Sequence, residues 1–269
     1  MSDILRTTLA PVNDAAWGPI REEATRTLKG HLSARRVVPV EGPHGWTHAA
    51  VNLGRVRPIE TQDAGGVRAG VREVLPLVEV RVPFTLDLWE LDDAERGAAD
   101  IELAPVADAA RKLALFEEGA VYGGYAEGGI RGIAEQSPHD PVVFAAKPEA
   151  LVRAVADGVL TLQEAGIGGP YALVLDADAF THAMSGDIGG VPIRERIGQA
   201  ADGGVHWSPA VSGGLLVSRR GGDFELTLGQ DTAIGYAGHA QGKVDLFLTE
   251  SFTFRVLDPA AAIALRAKG

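Results

Sequence analysis

The sequence predicts a chain of mixed α/β or α+β class, and three observations lead to this expectation. Helical periodicity dominates the first and middle parts of the chain, where apolar residues recur every three or four positions. Strand-like alternation dominates the end, from GGLLVSRR at 213–220 to KVDLFLTESFTFRVL at 243–257. No repeat, low-complexity tract or linker interrupts the chain, so we expect two intimately joined subdomains rather than two independent ones.

The first predicted helix begins after Asn13 or Asp14, either of which can cap it, and runs to about Ala34. Its apolar face repeats every four residues and consists of Ile20, Ala24, Leu28 and Leu32. The proline of Gly18-Pro19 falls in the first turns, where it delays or kinks a helix. Residues 35–43 then predict a short strand that ends in a turn at Gly42-Pro43.

Residues 50–80 predict a long β-hairpin, because two strand-like arms flank the polar turn TQDAGG at 61–66. The arms carry too little apolar surface to form a core of their own. Since an isolated two-stranded hairpin is only marginally stable in water, we expect this one to lie on another part of the chain or on a neighbouring molecule.

The rest of the chain alternates helices and strands before its strand-rich end. One helix begins near Pro105 and stops at Gly123-Gly124, and another begins after Lys147 and stops at GIGGP. The following predicted elements are the strand YALVLDAD at 171–178, a helix to Met184, the loop SGDIGG at 185–190 and a helix at PIRERIG, 192–198.

Composition excludes several classes of function. The chain has 269 residues, no cysteine and a formal net charge of −11. The absence of cysteine excludes a disulfide framework, a thiolate nucleophile and Cys-ligated metal sites. The acidic balance argues against nucleic-acid binding, which requires clustered Lys and Arg. No secretory signal or apolar run of bilayer length is visible, so we expect a cytoplasmic protein that does not contact a membrane.

The common catalytic motifs are missing, since the sequence contains no G-x-S-x-G, H-E-x-x-H or G-x-x-x-x-G-K-[ST]. The pair Gly166 and Gly168 is typical of a helix stop, and Asp176 and Asp178 are not followed by the other ligands of a calcium loop. The scattered histidines leave a triad open without indicating one. We therefore expect no catalytic residue and no metal site.

Two further stretches need an interpretation. DLWELDDAERG at 87–97 is a charge run that is typical of a solvated helix start, but Trp89 within it is typical of an interface or a stacking site.

RRGGDFELTLGQDTAIGY at 219–236 allows a phosphate loop, a catalytic aspartate or a docking segment. Its glycines lie between strands with no helix following, so we expect a turn at Arg219–Gly222. Asp223 and Asp231 are then turn residues or arginine partners.

Several stretches together resemble the encapsulin family, also called linocin-like bacteriocins, and they occur in the family's order over nearly the whole chain. They are LAPVNDAAW, ARRVVPVEGPHGW, PFTLDLWELDDAERG, GIGGPYALVL, PIRERI and RGGDFELTLGQDTAIGY. The resemblance implies an α+β chain with the major capsid protein fold of tailed bacteriophages.

The resemblance also implies a division of the chain. Residues 1–49 would form the N-terminal helix and part of a peripheral domain, 50–80 an extended loop across a neighbouring subunit, and 81–134 the rest of that domain with its spine helix. Residues 135–218 would form an axial domain, and 219–269 the C-terminal strands of the peripheral domain.

The function implied is that of a self-assembling shell subunit with no intrinsic catalysis. Most simply, sixty copies would form a closed icosahedral shell in the cytoplasm. The shell would enclose a ferritin-like protein or a dye-decolorising peroxidase, recruited through a C-terminal peptide. A phage capsid subunit and a protease or bacteriocin-like enzyme are the alternatives.

The resemblance assigns three candidate sites. A groove for the cargo peptide would be built from Leu28, Leu32, Arg35, Val37, Leu228, Ile234 and Tyr236. A fivefold pore would be lined by Ser185, Gly186, Asp187, Ile188, Gly189 and Gly190. A flavin, which some relatives bind, would stack on Trp89 with Arg81 near it; no other cofactor is expected. Packing in the core, an ordinary surface loop and an interface tryptophan are the respective structural alternatives.

Overall fold

The computed structural model describes residues 4–60, 65–145 and 147–268, so Thr61–Ala64 of the predicted hairpin turn lie outside the described residues. The helices are α1 Asp14–His31, α2 Ala34–Val37, α3 Leu88–Glu95, α4 Ala104–Tyr122, α5 Ile133–Gln136, α6 Pro148–Glu164, α7 Ala177–Ser185 and α8 Ile193–Ala200. Short 3₁₀ turns occur at Thr7–Leu9, Ala126–Gly128 and Pro259–Ala261.

The strands come in the following order along the chain. They are β1 Val40–Glu41, β2 Ala50–Ile59, β3 Ala69–Pro76, β4 Val78–Asp87, β5 Val142–Phe144, β6 Tyr171–Leu175, β7 Asp187–Ile188, β8 Val191–Pro192, β9 Val205–Trp207, β10 Gly214–Ser218, β11 Phe224–Leu228, β12 Ala233–Ala240, β13 Lys243–Val256 and β14 Ala262–Ala267.

Two five-stranded sheets organise the chain. In the first sheet the long strand β13 pairs antiparallel with β4, β11 and β12, and β1 joins β11 in parallel. The second sheet has the order β5-β14-β10-β6-β9. Among the described residues, strands β2 and β3 pair only with each other, from Ala50 opposite Pro76 to Ile59 opposite Ala69, as the predicted hairpin requires.

Helix α4 connects the two hydrophobic cores. Its first half packs Ala110 and Leu113 against α1, α3, β4 and β13. Its second half contributes Val121 and Tyr122 to the larger core, which includes α6 and the second sheet. One continuous helix therefore fixes how the two sheets are placed relative to each other.

The sequence predicts most of these elements with small shifts at their ends. Helix α1 begins after Asn13, whose side chain accepts a hydrogen bond from the N–H of Ala16, and it ends at His31 rather than Ala34. Phe224, Leu226 and Leu228 form one buried face of β11, as their alternation indicates. The turn at Arg219–Gly222 is also present, with Gly221 and Gly222 at positive φ.

Two expectations are wrong. Arg35 and Arg36 lie in helix α2 rather than in a strand, and only Val40–Glu41 of that segment is extended. The final strand β14 pairs with β5 and β10, so the end of the 219–269 segment lies in the second sheet and not with β11–β13. Strand pairing between distant parts of a chain is set by tertiary packing, which local patterns do not reveal.

The buried carboxylate of Glu118 explains why the chain turns at Ser33. It accepts hydrogen bonds from the Ser33 hydroxyl at 2.5 Å, the Ala34 N–H at 2.6 Å and the Ser208 hydroxyl at 2.7 Å. A negative charge at the first turn of α2 favours that turn. Burial raises the pKa of Glu118, although these hydrogen bonds oppose the shift. This one side chain of α4 thus holds α2 and the chain between β9 and β10 together.

We expect Glu118→Ala to destabilise the protein by about 3 kcal/mol, because it leaves several buried donors without an acceptor. A loss of this size would lower the midpoint of thermal unfolding by roughly 6 °C or more for a chain of this length. Differential scanning fluorimetry at fixed protein concentration measures it. Glu135→Ala is the control, because the exposed carboxylate of Glu135 lies 3.9 Å from Arg131 and its loss should change the midpoint by about 1 °C or less. Equal midpoints for the two variants would contradict the role given to Glu118.

Candidate functional site

A cleft of about 660 Å³ lies between α1, the N-terminal segment and β12. Its apolar lining comes from the predicted face of α1, with Leu28 and Leu32, and from Ile234 on β12. The complete lining is Leu5, Thr7, Trp17, Arg21, Ala24, Thr25, Leu28, Lys29, Leu32, Arg35, Arg36, Asp231, Thr232, Ala233, Ile234 and Leu248.

The N-terminal segment forms one wall of this cleft. The N–H of Tyr236 donates to the carbonyl of Leu5 at 2.7 Å, so the segment before α1 runs alongside β12. Leu5 and Thr7 then face the cleft opposite α1. The cleft is therefore a groove between two chain segments, and its volume of about 660 Å³ lies in the range that ligand-binding clefts commonly have.

Arg35 lines the cleft and has three carboxylates around it. Its guanidinium donates to Glu117 at 2.5 Å, to Asp231 at 2.8 Å and to Glu250 at 3.0 Å. Glu117 and Glu250 are buried, whereas Asp231 is half-exposed. Asp231 is thus an arginine partner, as the sequence analysis predicts, and Asp223 likewise pairs with Arg220 at 2.8 Å.

The cluster holds more negative than positive charge, and this imbalance shifts its pKa values. Burial and the charge of Glu117 raise the pKa of Glu250 from its ordinary value of 4.5 to about 8, although Arg35 opposes the shift. The Oε1 atom of Glu250 has no hydrogen-bond partner among the described residues, which adds to the cost of its ionisation. Burial alone would lower the pKa of Arg35, but the carboxylates outweigh burial and raise it.

Four of the seven predicted groove residues meet in the cleft, namely Leu28, Leu32, Arg35 and Ile234. The other three do not line it. Val37 and Leu228 are 2% exposed and belong to the larger core. Tyr236 packs beside Ile234, and its hydroxyl lies 2.5 Å from Nδ1 of His239. Which side of α2 or β11 faces a cleft depends on packing that alternation alone does not give.

Several other residues that line the cleft are not predicted from the sequence. Trp17, Arg21 and Lys29 lie on the same face of α1 as Leu28, so extending the four-residue period by neighbouring positions finds them. Leu5 and Thr7 carry no such signal, because a short irregular segment has no periodicity.

The predicted pore segment forms a small hairpin after α7 rather than an irregular loop. Ser185 ends α7, and β7 and β8 pair Asp187 with Pro192. Gly189 and Gly190 make the turn with positive φ, which only glycine adopts readily. Asp187 and Ser185 are exposed, and Oδ1 of Asp187 accepts from the N–H of Gly190 at 3.1 Å. The exposed carboxylate of Asp187 thus lies beside the turn and accepts a hydrogen bond from its backbone.

The candidate flavin residues lie on consecutive elements. Trp89 is 77% exposed near the start of α3, which Asp87 caps. Arg81 on β4 pairs with Glu79 at 2.8 Å and lies over the ring of Phe247. An exposed indole is available for stacking, but the charge of Arg81 is already neutralised by Glu79.

Within the ranges that the structure describes, no group of three or more His, Asp or Glu side chains is arranged to hold a metal ion. Nor does any helix in those ranges combine the length and apolar character needed to cross a bilayer.

Known proteins similar to this chain agree on its fold and family. A family model described as encapsulating protein for peroxidase (Linocin_M18) matches residues 1–253. A type 1 encapsulin shell protein of Rhodococcus erythropolis is 42% identical over 261 residues, covering 97% of this chain and 98% of the relative.

Solved structures give the same fold at much lower identity. A virus-like particle from Pyrococcus furiosus matches with a TM-score of 0.64 at 16% identity, covering 91% of this chain and 97% of that one. The capsid of Myoviridae phage XM1 matches with a TM-score of 0.56 at 12% identity, covering 90% and 91%. The chain therefore has the predicted capsid-type α+β fold.

We expect the contribution of Glu250 to the stability of the protein to fall as the pH rises from about 4.5 towards 8. Glu250 keeps its proton when folded but loses it near its ordinary pKa when unfolded. The stabilisation is therefore complete below the unfolded value and is lost as the pH passes through the folded one. Thermal midpoints between pH 5 and pH 9, compared for the wild type and Glu250→Gln, measure it. Glu250→Gln should flatten the profile, though only partly because the pKa of Glu118 is also raised. Parallel profiles would contradict the assignment.

Proposed function

The chain belongs to the family of type 1 encapsulin shell proteins, and from this membership we propose that it assembles into a closed icosahedral shell that encloses a cargo enzyme. Most simply, the shell contains sixty copies in the cytoplasm, held by equivalent contacts around symmetry axes. The cargo is a ferritin-like protein or a peroxidase of the dye-decolorising type, recruited by a peptide at its C-terminus. The observation that carries the proposal is whole-length similarity to shell proteins in a chain that also has a peptide-sized cleft.

The β2–β3 hairpin supports the assembly part of the proposal. Val56, Ile59, Val71 and Val74 on its arms are exposed. In the part of the chain that the structure describes, the hairpin joins neither five-stranded sheet. Apolar side chains on such an isolated hairpin gain stability when another molecule covers them. We propose that the hairpin is the extended loop and lies on a neighbouring subunit.

The two sheets support a division into domains. The peripheral domain would comprise the first sheet with α1, α3 and α4, and the axial domain the second sheet with α6, α7 and α8. Strand β14 would belong to the axial domain, because it pairs with β10. A reconstruction of the assembled shell tests this division.

The β7–β8 turn would then lie at the fivefold axis, where copies of Asp187 form a negative ring around a pore.

Stacking of a flavin on Trp89 is a separate proposal, supported by the exposure of the indole. The visible absorption spectrum of the purified shell tests it. No catalytic role is proposed for the shell subunit, because its relatives carry the name of shell proteins.

We expect Val71→Asp to prevent assembly while leaving the subunit folded. Val71 faces Arg57 across the hairpin, so the aspartate can pair with that arginine while it removes an apolar contact surface from the arm. Sedimentation velocity should show subunits or small oligomers in place of shells, with an unchanged circular dichroism spectrum. Val71→Thr keeps the branched shape and should still assemble. Shells formed equally well by both variants would contradict the proposed role of the hairpin in assembly.

We expect Ile234→Asp to abolish cargo retention in intact shells, because it introduces a charge into the apolar part of the cleft. The measurement is the amount of cargo that co-elutes with the shell when both are expressed together. Gln163→Asp introduces the same charge at an exposed position of α6 and should leave retention unchanged. Undiminished cargo in Ile234→Asp shells would rule out the cleft as the docking site.

A further inference from the structure

Basic side chains surround the apolar cleft in a chain whose net charge is −11. Arg21, Lys29 and Arg36 line the cleft, and Arg219 lines a smaller pocket of about 180 Å³ that shares Arg35 and Arg36 with it. We call Arg21, Lys29, Arg36 and Arg219 the basic rim. The acidic neighbours Glu22 and Glu23 on α1 do not line the cleft.

The basic rim has no internal counter-charge. Among the described residues, its four cations form no ion pair with a carboxylate, whereas Arg35 between them is saturated by Glu117, Asp231 and Glu250. Arg36 donates to the carbonyl of Lys29 and Arg219 to that of Gly203 at 2.9 Å, so both guanidinium groups are held in place by the backbone.

The smaller pocket concentrates this charge. Arg36 and Arg219 both line it, together with Arg35, whose charge is already paired. Asp223 also lines the pocket, but it is buried and already paired with Arg220 at 2.8 Å. The positive potential at Arg36 and Arg219 is therefore left for a ligand.

Resting on the proposed function, we propose that the peptide docked in the cleft carries an acidic residue next to its aliphatic anchors, and that this Asp or Glu side chain lies against Arg36 and Arg219. The aliphatic side chains occupy the apolar floor at Leu28 and Ile234, and the carboxylate enters the adjoining pocket. Guanidinium groups bind a carboxylate with charge-assisted hydrogen bonds, which are stronger than neutral ones. The anchors supply affinity, and the acidic residue sets the direction and register of the peptide.

The test uses assembled shells and a defined probe. Shells are dissociated and reassembled with a pool of random decapeptides that are acetylated and amidated, so that every carboxylate comes from a side chain. Size-exclusion chromatography separates the shells, and mass spectrometry identifies the retained peptides. The variants are Arg36→Gln/Arg219→Gln and, as a control with the same change in net charge, Arg131→Gln/Arg153→Gln at exposed sites outside the cleft.

In the wild type and the control, retained peptides should contain Asp or Glu about tenfold more often than Asn or Gln, at a fixed spacing from an aliphatic residue. This preference should disappear in the Arg36→Gln/Arg219→Gln shells. If those shells fail to reassemble, the single variant Arg219→Gln replaces them and should weaken the preference. In the wild type the preference should also weaken as salt is raised from about 50 mM to about 500 mM.

Aliphatic peptides retained without acidic residues, or an acidic preference that survives the Arg36→Gln/Arg219→Gln substitutions, would overturn the inference while leaving the cleft as the docking site. Retained peptides that bind Ile234→Asp shells equally well would overturn the docking site itself, and the inference with it.

Discussion

Two adjacent carboxylates on α4, at Glu117 and Glu118, hold the rest of the structure together. Glu118 faces Ser33, the N–H of Ala34 and Ser208, and Glu117 faces Arg35. The chain after α1 therefore cannot continue as a helix or straighten into a strand without leaving buried charges unpaired, which costs several kcal/mol. The same contacts place Arg35 in the lining of the cleft. A structural constraint near the C-terminal end of α4 thus shapes a groove at the surface.

The cleft contains two kinds of basic side chain. Carboxylates already bind Arg35, but they do not pair with the basic rim among the described residues. Arg35 is enclosed by more carboxylates than it can neutralise, so the cluster retains a proton and has no charge left to offer an incoming peptide. The basic rim around it has the opposite character, because two of its cations, Arg36 and Arg219, are positioned by backbone carbonyls and not by acids. An arginine in a groove is therefore not automatically a ligand-binding residue. Its existing partners decide whether the arginine stabilises the fold or remains available to bind a ligand.

The hairpin and the cleft serve two different parts of the proposed function, namely assembly of the shell and recruitment of cargo. Exposed valines on β2 and β3 favour contact with another copy of the chain, whereas the apolar face of α1 is mostly buried and leaves room only for a narrow segment. The first kind of surface suits a large permanent interface, and the second suits a short extended peptide. Since the two surfaces share no residues, assembly and cargo recruitment can be altered separately.

The sequence by itself determined the elements that a local period or a cap defines. The α1 face, the α4 and α6 boundaries, the hairpin arms, the buried face of β11 and the turn at Arg219–Gly222 all follow from spacing and residue type. The resemblance to a family of shell proteins added the fold and the position of the cleft. Only the tertiary structure decided that Val37 and Leu228 are core residues, that Arg35 lies in a helix, and that β14 joins the second sheet. Each of these depends on partners far away in the chain, such as Glu118 for α2 and β10 for β14. Such long-range pairing cannot be predicted from the local pattern of residues.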